Sequence, residues 1–518
     1  MPYEPVIGLE IHCQLKTKSK MFCRCDNNAE GKEPNTVTCP VCMGHPGTLP
    51  VANRQALEWT YLLGLALGCE IAPQFNFERK QYFYPDLPKA YQITSQTTPP
   101  IVGGYLELDA DGFRSPTSKD AQMSDFGANE KKRFPIEHIH LEEDAGKLIH
   151  AGDYSLVDLN RAGTPLLEVV TNPCFSTPAE AKAFMQELRL ILRYLDISDA
   201  DMEKGHLRCD ANVSVRPVGQ KELGKKTEVK NMNSFVAIEK ALEYEIKRQT
   251  EILAEGGKVT QETRGWDEAK QKTFSQRSKE QAHDYRYFPE PDLPPIVIDG
   301  NNKSQMTNHK QSFDLEELKT QIPELPAEKR GRYQKDFGMN EKDAEIFVGD
   351  MDLAEYFESA VNLSQRSTLG NSLTLNVGKK IVSIILTDVL GYLNANSQHI
   401  ADFKIKPQDL AKLAEKLELG EISSKIGKDV FAKMADSGKS ATEIMEKEGI
   451  HQVSDKGELE KIIAEVISAN PEQVEQYRHT VGANGDSPIL NFFVGQVMKA
   501  SHGQANPAMV NEILKKML

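Results

Sequence analysis

Four cysteines fall close together as Cys23-Arg24-Cys25 and Cys39-Pro40-Val41-Cys42. Tetrahedral zinc takes four thiolates at about 2.3 Å, and closely spaced pairs each deliver two ligands. The second pair, followed by Gly44, fits a zinc-knuckle turn, whereas the first is Cys-x-Cys rather than Cys-x-x-Cys. The spacing points to one structural zinc on Cys23, Cys25, Cys39 and Cys42. The competing reading is four reduced, idle thiols. Cys13, Cys69, Cys174 and Cys209 are scattered and read as small buried hydrophobes.

A second group is acidic. In residues 6–15, Leu9, Ile11, Cys13 and Leu15 alternate with Glu10, His12 and Gln14, the period of a half-buried strand. The same alternation sets Ile139 and Leu141 against His138, His140 and Glu142. It sets Leu207, Cys209, Ala211 and Val213 against Arg208, Asp210 and Asn212, and it puts Lys226, Glu228 and Lys230 on one face. Carboxylates brought together this way need solvent, cations or a metal. Oxygen ligands with one imidazole suit magnesium on a nucleotide phosphate better than a thiophilic ion. Taken singly, each acid also reads as a solvated surface residue, so the chemistry depends on their meeting in space.

The third group is Arg79-Lys80-Gln81-Tyr82-Phe83-Tyr84-Pro85-Asp86-Leu87-Pro88-Lys89-Ala90-Tyr91-Gln92. Such a loop could hold phosphates by charge and a base or ribose by aromatic contact, or could pack its tyrosines at a surface. No G-x-x-x-x-G-K-[ST] phosphate loop occurs: Gly438-Lys439-Ser440 ends like one, but Lys433 stands where the first glycine belongs. Neither a G-x-S-x-G elbow nor a Gly-Ser-rich amidase nucleophile stretch is present, and Ser423-Ser424-Lys425 reads as a turn or cap.

The elements that must position these groups divide the chain. A length of 518 residues implies two to four domains. The first part reads as mixed α and β. One helix is strongly signalled: Thr177 and Glu180 form a capping box, Pro178 opens the first turn, and Ala181, Phe184, Leu188, Ile191, Leu192 and Leu195 make an apolar stripe. Prolines 289, 291, 294 and 295 mark a boundary, beyond which the pattern is helical, and Pro407 opens a further helical segment. The expected class is α+β: a cradle with a mainly antiparallel sheet over residues 1–297, an all-helical domain over 298–405 and a helical tail over 406–518.

Net charge is −14 and pI about 5.5, which argues against a protein that coats nucleic acid by charge alone. From Lys406 to Leu518 there are 14 Lys/Arg and 17 Asp/Glu, a net of −3. No apolar run is long enough to span a membrane, and Met1-Pro2-Tyr3-Glu4-Pro5 resembles no leader. The expectation is a cytoplasmic chain without membrane association.

Several blocks resemble the B subunit of the tRNA-dependent amidotransferases. They are Gly8-Leu9-Glu10-Ile11-His12, the loop from Tyr82 to Gln92, His140-Leu141-Glu142-Glu143-Asp144-Ala145-Gly146-Lys147, Asp158-Leu159-Asn160-Arg161-Ala162-Gly163-Thr164-Pro165-Leu166 and Leu207-Arg208-Cys209-Asp210-Ala211-Asn212. Asp284-Tyr285-Arg286-Tyr287-Phe288-Pro289-Glu290-Pro291-Asp292 and Gly495-Gln496-Val497-Met498-Lys499-Ala500 fit too, and the likeness runs from about residue 3 to residue 518. The resemblance implies conversion of Glu-tRNA(Gln) to Gln-tRNA(Gln), or of Asp-tRNA(Asn) to Asn-tRNA(Asn). An amidase A subunit frees ammonia from glutamine, and a channel carries it to the B subunit. There ATP and magnesium activate the side-chain carboxylate of the misacylated tRNA, while a small C subunit wraps the A–B interface.

By the same resemblance, Glu10, His12, Glu143, Asp210 and Glu228 serve the magnesium ions. Lys80, Tyr82, Tyr84 and Lys89 line the nucleotide or acyl-phosphate pocket. The choice between Glu142 and Glu143 stays open, because side-chain direction at a strand end does not follow from alternation. The catalytic set is then Glu10, His12, Glu142, Glu143 and Lys80, with a structural zinc beside it in those members that carry the cysteines. Two other functions stand against this one: a tRNA-docking platform with no catalytic site, and a free-standing ATP-dependent carboxylate–amine ligase acting on a small molecule.

Overall fold

A computed structural model of the chain describes residues 2–109, 131–278, 284–298, 313–365, 371–449, 456–480, 488–501, 505 and 507–518. Two compact units emerge, Met1–Pro326 and Ala327–Leu518.

The first unit is built on one large sheet. Its main path uses ten strands: β1 (Tyr3–Gln14), β2 (Glu78–Gln81), β3 (Tyr91–Thr94), β4 (Lys131–Glu143), β5 (Pro165–Thr171), β6 (Leu207–Pro217), β7 (Thr227–Lys230), β8 (Glu262–Asp267), β9 (Lys272–Ser278) and β10 (Phe288–Pro289). Their spatial order is β9-β8-β7-β6-β1-β5-β4-β3-β2-β10. All neighbours pair antiparallel except β7 with β8, which is parallel. The class is therefore the expected α+β with a mainly antiparallel sheet.

β1 lies at the centre because its apolar residues need cover from both flanks. Ile7, Leu9, Ile11 and Cys13 are buried, as are their counterparts Ile139 and Leu141 of β4, Leu167 and Val169 of β5, and Cys209, Ala211 and Val213 of β6. Three helices share this core: α1 (Arg54–Ala66), α2 (Pro178–Tyr194) and α3 (Phe235–Ala254), through Leu57, Tyr61, Phe184, Leu188, Ile238 and Leu242. Each starts on a side-chain cap, Asn53, Thr177 and Ser234, which satisfies a backbone N–H that the first turn leaves unpaired. At α2 the Thr177 hydroxyl accepts from the Glu180 N–H, as expected. The Glu180 carboxylate accepts from the N–H of Ser176, one residue earlier than a standard capping box. Every residue of the expected α2 stripe is buried, and Leu195, just past the helix, belongs to the same core. Cys13 and Cys209 are buried, whereas Cys69 and Cys174 are half-buried.

The second unit is helical. Gly438 is a left-handed helix C-cap and Ser440 the N-cap of the next helix, so the phosphate-loop look-alike is a helix–helix turn. Ser423 caps the helix Ser424–Ser437. Pro407 opens a helix, Pro407–Glu418. It buries Leu410, Ala411, Leu413 and Ala414 and packs on the helices Met351–Gln365 and Asn371–Ile384. Farther along, Leu459, Ile463, Phe493, Val497, Val510 and Leu514 form a core of their own. In the sequence the final segment, 489–518, reads as two helices around Gly503, and Gly503 lies outside the described residues.

Truncation before Pro407 should therefore strip a packed surface from the preceding helices. Leu410→Ala alone should cost about 2–5 kcal/mol in that unit, the usual range for a fully buried leucine. A chain ending at residue 449 should keep a cooperative thermal transition for the helices from 351 to 396, seen by circular dichroism, and one ending at 406 should lose it. An undiminished transition in the shorter chain would refute this packing argument.

Candidate active site

Strand register assembles the site. Across four neighbouring strands, His140 of β4 faces Glu168 of β5, Glu168 faces His12 of β1, and His12 faces Arg208 of β6. The adjacent row runs His138, Val170, Glu10 and Asp210, and Asn212 faces Glu228 of β7. Side chains two apart on a strand share a face, so these rows and Glu142 stand on the side opposite the apolar core.

The closest group is His12, Glu142 and Glu168, each offering one ligand atom within 4.8 Å of the others. His12 Nε2 lies 3.3 Å from Glu168 Oε2 and 3.8 Å from Glu142 Oε1. His140 Nε2 lies 3.2 Å from the same Glu168 oxygen. Burial would raise Glu168, yet the imidazoles of His12 and His140 beside it hold it well below the usual carboxylate range. Glu142 goes the other way: burial raises it, the charge of Glu168 raises it further, and His12 and Lys80 offset only part. Burial alone would lower the His12 imidazole, but the hydrogen bond and charge of Glu168, with Glu142, raise it. Oxygen donors with an imidazole are the set a hard divalent cation would take.

Glu10, Asp210 and Glu228 form a second acidic group on the same face. Asn212 Nδ2 donates to Glu10 Oε1 at 2.8 Å, while Lys230 bridges Asp210 and Glu228. Burial, then Glu168, raises Glu10; at Glu228 the opposing pull of Lys230 outweighs burial and lowers it. Glu143 turns to the other side of its strand. Its Oε1 accepts from the Ile93 N–H at 2.9 Å and pairs with Lys89 Nζ. Lys80 Nζ lies 5.1 Å from the centre of the Tyr285 ring, against which Tyr82 packs edge-on. Tyr84 is exposed.

Glu168 and His140 were not among the candidates that alternation and spacing suggested. Their signals were present: Glu168 is the one charge in the apolar run Pro-Leu-Leu-Glu-Val-Val, and His140 shares the alternation of Glu142. A charge inside a strand that reads as buried on both faces needs a partner.

The four cysteines also meet. Their sulfur atoms lie within 4.8 Å of one another, and Cys39 and Cys42 Sγ are 3.9 Å apart. A tetrahedron with 2.3 Å bonds has edges of about 3.8 Å, so the set fits a metal. The N–H groups of Met43 and Gly44 fold back onto the carbonyls of Cys39 and Val41 and build the knuckle turn. Gly44 has a positive φ of 67°, and a Cβ there would stand 2.5 Å from Lys89 Cγ. Lys20, almost wholly buried, donates to the Val37 carbonyl at 2.8 Å and lies 3.9 Å from Cys42 Sγ. The hydrogen bond from Cys23 is the main reason that Cys42 is lowered to about 5. A cavity of about 220 Å³ lies between this cluster and Arg79, Lys89 and Glu143.

Comparison with known proteins decides the family. The family model described as "GatB/GatE catalytic domain" matches residues 5–303, and that described as "GatB domain" matches residues 356–518. The B subunit of the aspartyl/glutamyl-tRNA(Asn/Gln) amidotransferase of Carboxydothermus hydrogenoformans is 46% identical over 521 residues, covering 100% of this chain and 99% of its own. Its counterparts in Persephonella marina and Moorella thermoacetica are 45% and 47% identical, each covered over 100% of both chains. The chain belongs to this family of amidotransferase B subunits. The catalytic-domain match contains every residue of both acidic groups and the cysteine cluster. Among the described residues no helix is long and apolar enough to cross a membrane.

Asp144 follows Glu143 and is buried. Its carboxylate accepts from Gln14 Nε2 at 2.7 Å and Arg208 Nη2 at 3.0 Å, and Arg161 Nε stands 3.6 Å away. Burial would raise it, but the two arginines and Gln14 outweigh that and lower it. A lowered carboxylate stabilises the fold fully above its unfolded value of about 3.9, and the contribution disappears as pH falls through the folded value. Asp144→Asn should therefore be less stable than the parent at pH 7, and the gap should close toward pH 2. Denaturant unfolding across that range measures it, and a gap independent of pH would count against the assignment.

Proposed function

We propose that this chain activates the side-chain carboxylate of Glu-tRNA(Gln), Asp-tRNA(Asn) or both with ATP, and that ammonia from a partner amidase subunit then yields the amide. The observation that carries this is the meeting of His12, Glu142 and Glu168 on one buried sheet face, in a chain of the amidotransferase B-subunit family. A carboxylate is a poor electrophile, and phosphorylation gives it a leaving group. Magnesium, when bound, screens the charge of the triphosphate and the acyl phosphate.

In this reading His12, Glu142 and Glu168 hold one ion, and Glu10, Asp210 and Glu228 serve a second. The under-compensated charge of Glu142 favours cation binding. Lys80 reaches the nucleotide from the side of Tyr82 and Tyr285, where the rings offer stacking surface. Tyr84, exposed at the rim, extends that surface. Lys89 and Glu143 face the cavity beside the cysteines and form the side from which ammonia would arrive. The A and C subunits complete a cytoplasmic heterotrimer, with residues 1–297 as the cradle, 298–405 as the helical domain and 406–518 as the tail that holds tRNA by shape and a few lysines. Cys23, Cys25, Cys39 and Cys42 hold a structural zinc that closes the loop carrying them.

His12→Ala in the assembled complex should cut product formation by roughly 10²-fold or more, the scale expected when a metal ligand is lost. Glutamine hydrolysis by the amidase should persist. The deciding assay supplies free ammonia, which bypasses the amidase. Restored product would assign His12 to ammonia delivery or packing. Absent product with tRNA still bound supports activation in this chain, and unaltered product from a platform without a site would end the proposal.

The metal prediction is separate. Elemental analysis of the purified chain should return about one zinc per chain, four thiolates being matched to one ion. Cys39→Ala with Cys42→Ala should lose both the metal and thermal stability. A metal-free wild type of equal stability would remove zinc from the picture.

A further inference from the structure

We propose that Arg208 clamps the phosphoryl group during its transfer beside the His12–Glu142–Glu168 group, and that Asp144 is its positioning residue. This rests on the ATP-dependent activation argued above and goes further by naming the side chain that meets the anion.

Arg208 ends the row His140, Glu168, His12, Arg208, directly opposite His12 in the β1–β6 register. Opposed side chains in an antiparallel pair have Cβ atoms about 5 Å apart, so the guanidinium stands at the edge of the carboxylate group. It is charged at every working pH.

Its aim is fixed from behind. Asp144, 5% exposed, accepts from Arg208 Nη2 and is itself held by Gln14 Nε2 and by the N–H of Ala145. Gln14 lies two residues beyond His12 on the same face of β1, so the strand that carries the metal-ligand candidate also fixes the aspartate. A second arginine stands 3.6 Å from Asp144, but it is turned to the backbone: Arg161 Nε and Nη2 donate to the carbonyls of Ala145 and Gly146. Arg208 differs. Asp144 takes one nitrogen, Nε is buried without a hydrogen-bond partner, and the side chain keeps 38% of its surface exposed. A guanidinium held on one edge with donors to spare is the group that takes two oxygens of an oxyanion in a fork.

Two oxyanions could use that fork, the substrate carboxylate and the terminal phosphate of the nucleoside triphosphate. Charge favours the phosphate. In the step, a carboxylate oxygen of the aminoacyl group forms a bond to the γ-phosphorus. The bond from that phosphorus to the β–γ bridging oxygen breaks, and its electron pair leaves on the nucleoside diphosphate; no proton moves. Negative charge sits on three equatorial oxygens, and protein cations around them supply most of the catalysis. The carboxylate group would serve one side of the phosphoryl through its cation, and Arg208 the other.

The test uses the assembled complex with free ammonia as nitrogen donor. The variants are Arg208→Ala, Arg208→Lys, Asp144→Asn and, as a control on the same strand, Arg216→Ala, whose partner is Glu4. By analogy with other arginines on a transferring phosphoryl, Arg208→Ala should lower kcat by about 10³-fold. KM for aminoacyl-tRNA should stay near the parent value, while the melting temperature should fall by the loss of the Asp144 ion pair, in Arg208→Ala and Asp144→Asn alike. Added guanidinium should recover part of the lost kcat. Lysine, which lacks the fork, should recover little, and Asp144→Asn should lose less kcat than Arg208→Ala at a similar fall in melting temperature. The control should be unaffected.

Unchanged kcat in Arg208→Ala overturns the proposal. So does a raised KM for aminoacyl-tRNA with kcat kept, which would give Arg208 to the substrate carboxylate. A loss that tracks melting temperature and resists guanidinium makes Arg208 a structural salt bridge and also overturns it. If the parent complex makes product from ammonia without consuming ATP, the activation reading itself fails; in all the other cases that reading survives.

Discussion

The carboxylate of Glu168, lying between the imidazoles of His12 and His140, is the interaction on which the site turns. Two acids on adjoining strands of a buried face repel each other and lose hydration, a combination that normally ends in protonation. Here Glu168 lies nearer both imidazoles and is held low, whereas burial above all raises Glu142, and the same imidazoles and Lys80 offset only part of that. The imbalance exists only because β4, β5 and β1 pair in one register, and that register is held by the apolar residues alternating on the opposite face. The core under α1, α2 and α3 is thus what fixes the charge pattern.

Much of this could be read from the chain. Strict alternation in residues 6–15 and 207–215 identified β1 and β6 and their polar faces, because half-buried strands impose a period of two. The signals around Thr177 located α2, since caps and stripes are local. Pairing was not local. Nothing in the spacing of Glu10 and Asp210 says that they stand opposite one another across roughly two hundred intervening residues, although the register puts them there. Glu168 escaped notice because its strand reads as one apolar run, and runs of that kind hide the side on which an interior charge emerges. The sides that Glu142 and Glu143 take depended on strand direction at the last residue, which follows from the pairing with Thr94 and Pro165. Arg208 was visible as a strand residue, but its tie to Asp144 joins positions 64 apart.

The cysteine cluster answers a different need. Residues 15–53 contain no named helix or strand. Long stretches without regular structure are uncommon in a compact domain and cost entropy to fix. Two cysteine pairs drawn onto one ion would tie both ends of that stretch at once, and metal binding then becomes folding energy. The same stretch forms a wall of the cavity that Lys89 and Glu143 line, so a support for the loop also shapes the approach to the strand end.

Glu142 and Glu143 are neighbours in the chain, yet one joins the carboxylate group and the other faces the cavity. Pleating makes this arrangement quantised. Positions on one face recur every second residue, about 6.8 Å along the strand, and a shift of one residue exchanges the two faces entirely. The donor geometry can therefore change only in coarse steps: by choosing another side chain at a fixed position, or by sliding a strand two residues at a time. Fine adjustment of the distances then falls to side-chain length, aspartate against glutamate, so trading those two residues at positions 10, 142, 168, 210 and 228 would shift each carboxylate by about one methylene without disturbing the register.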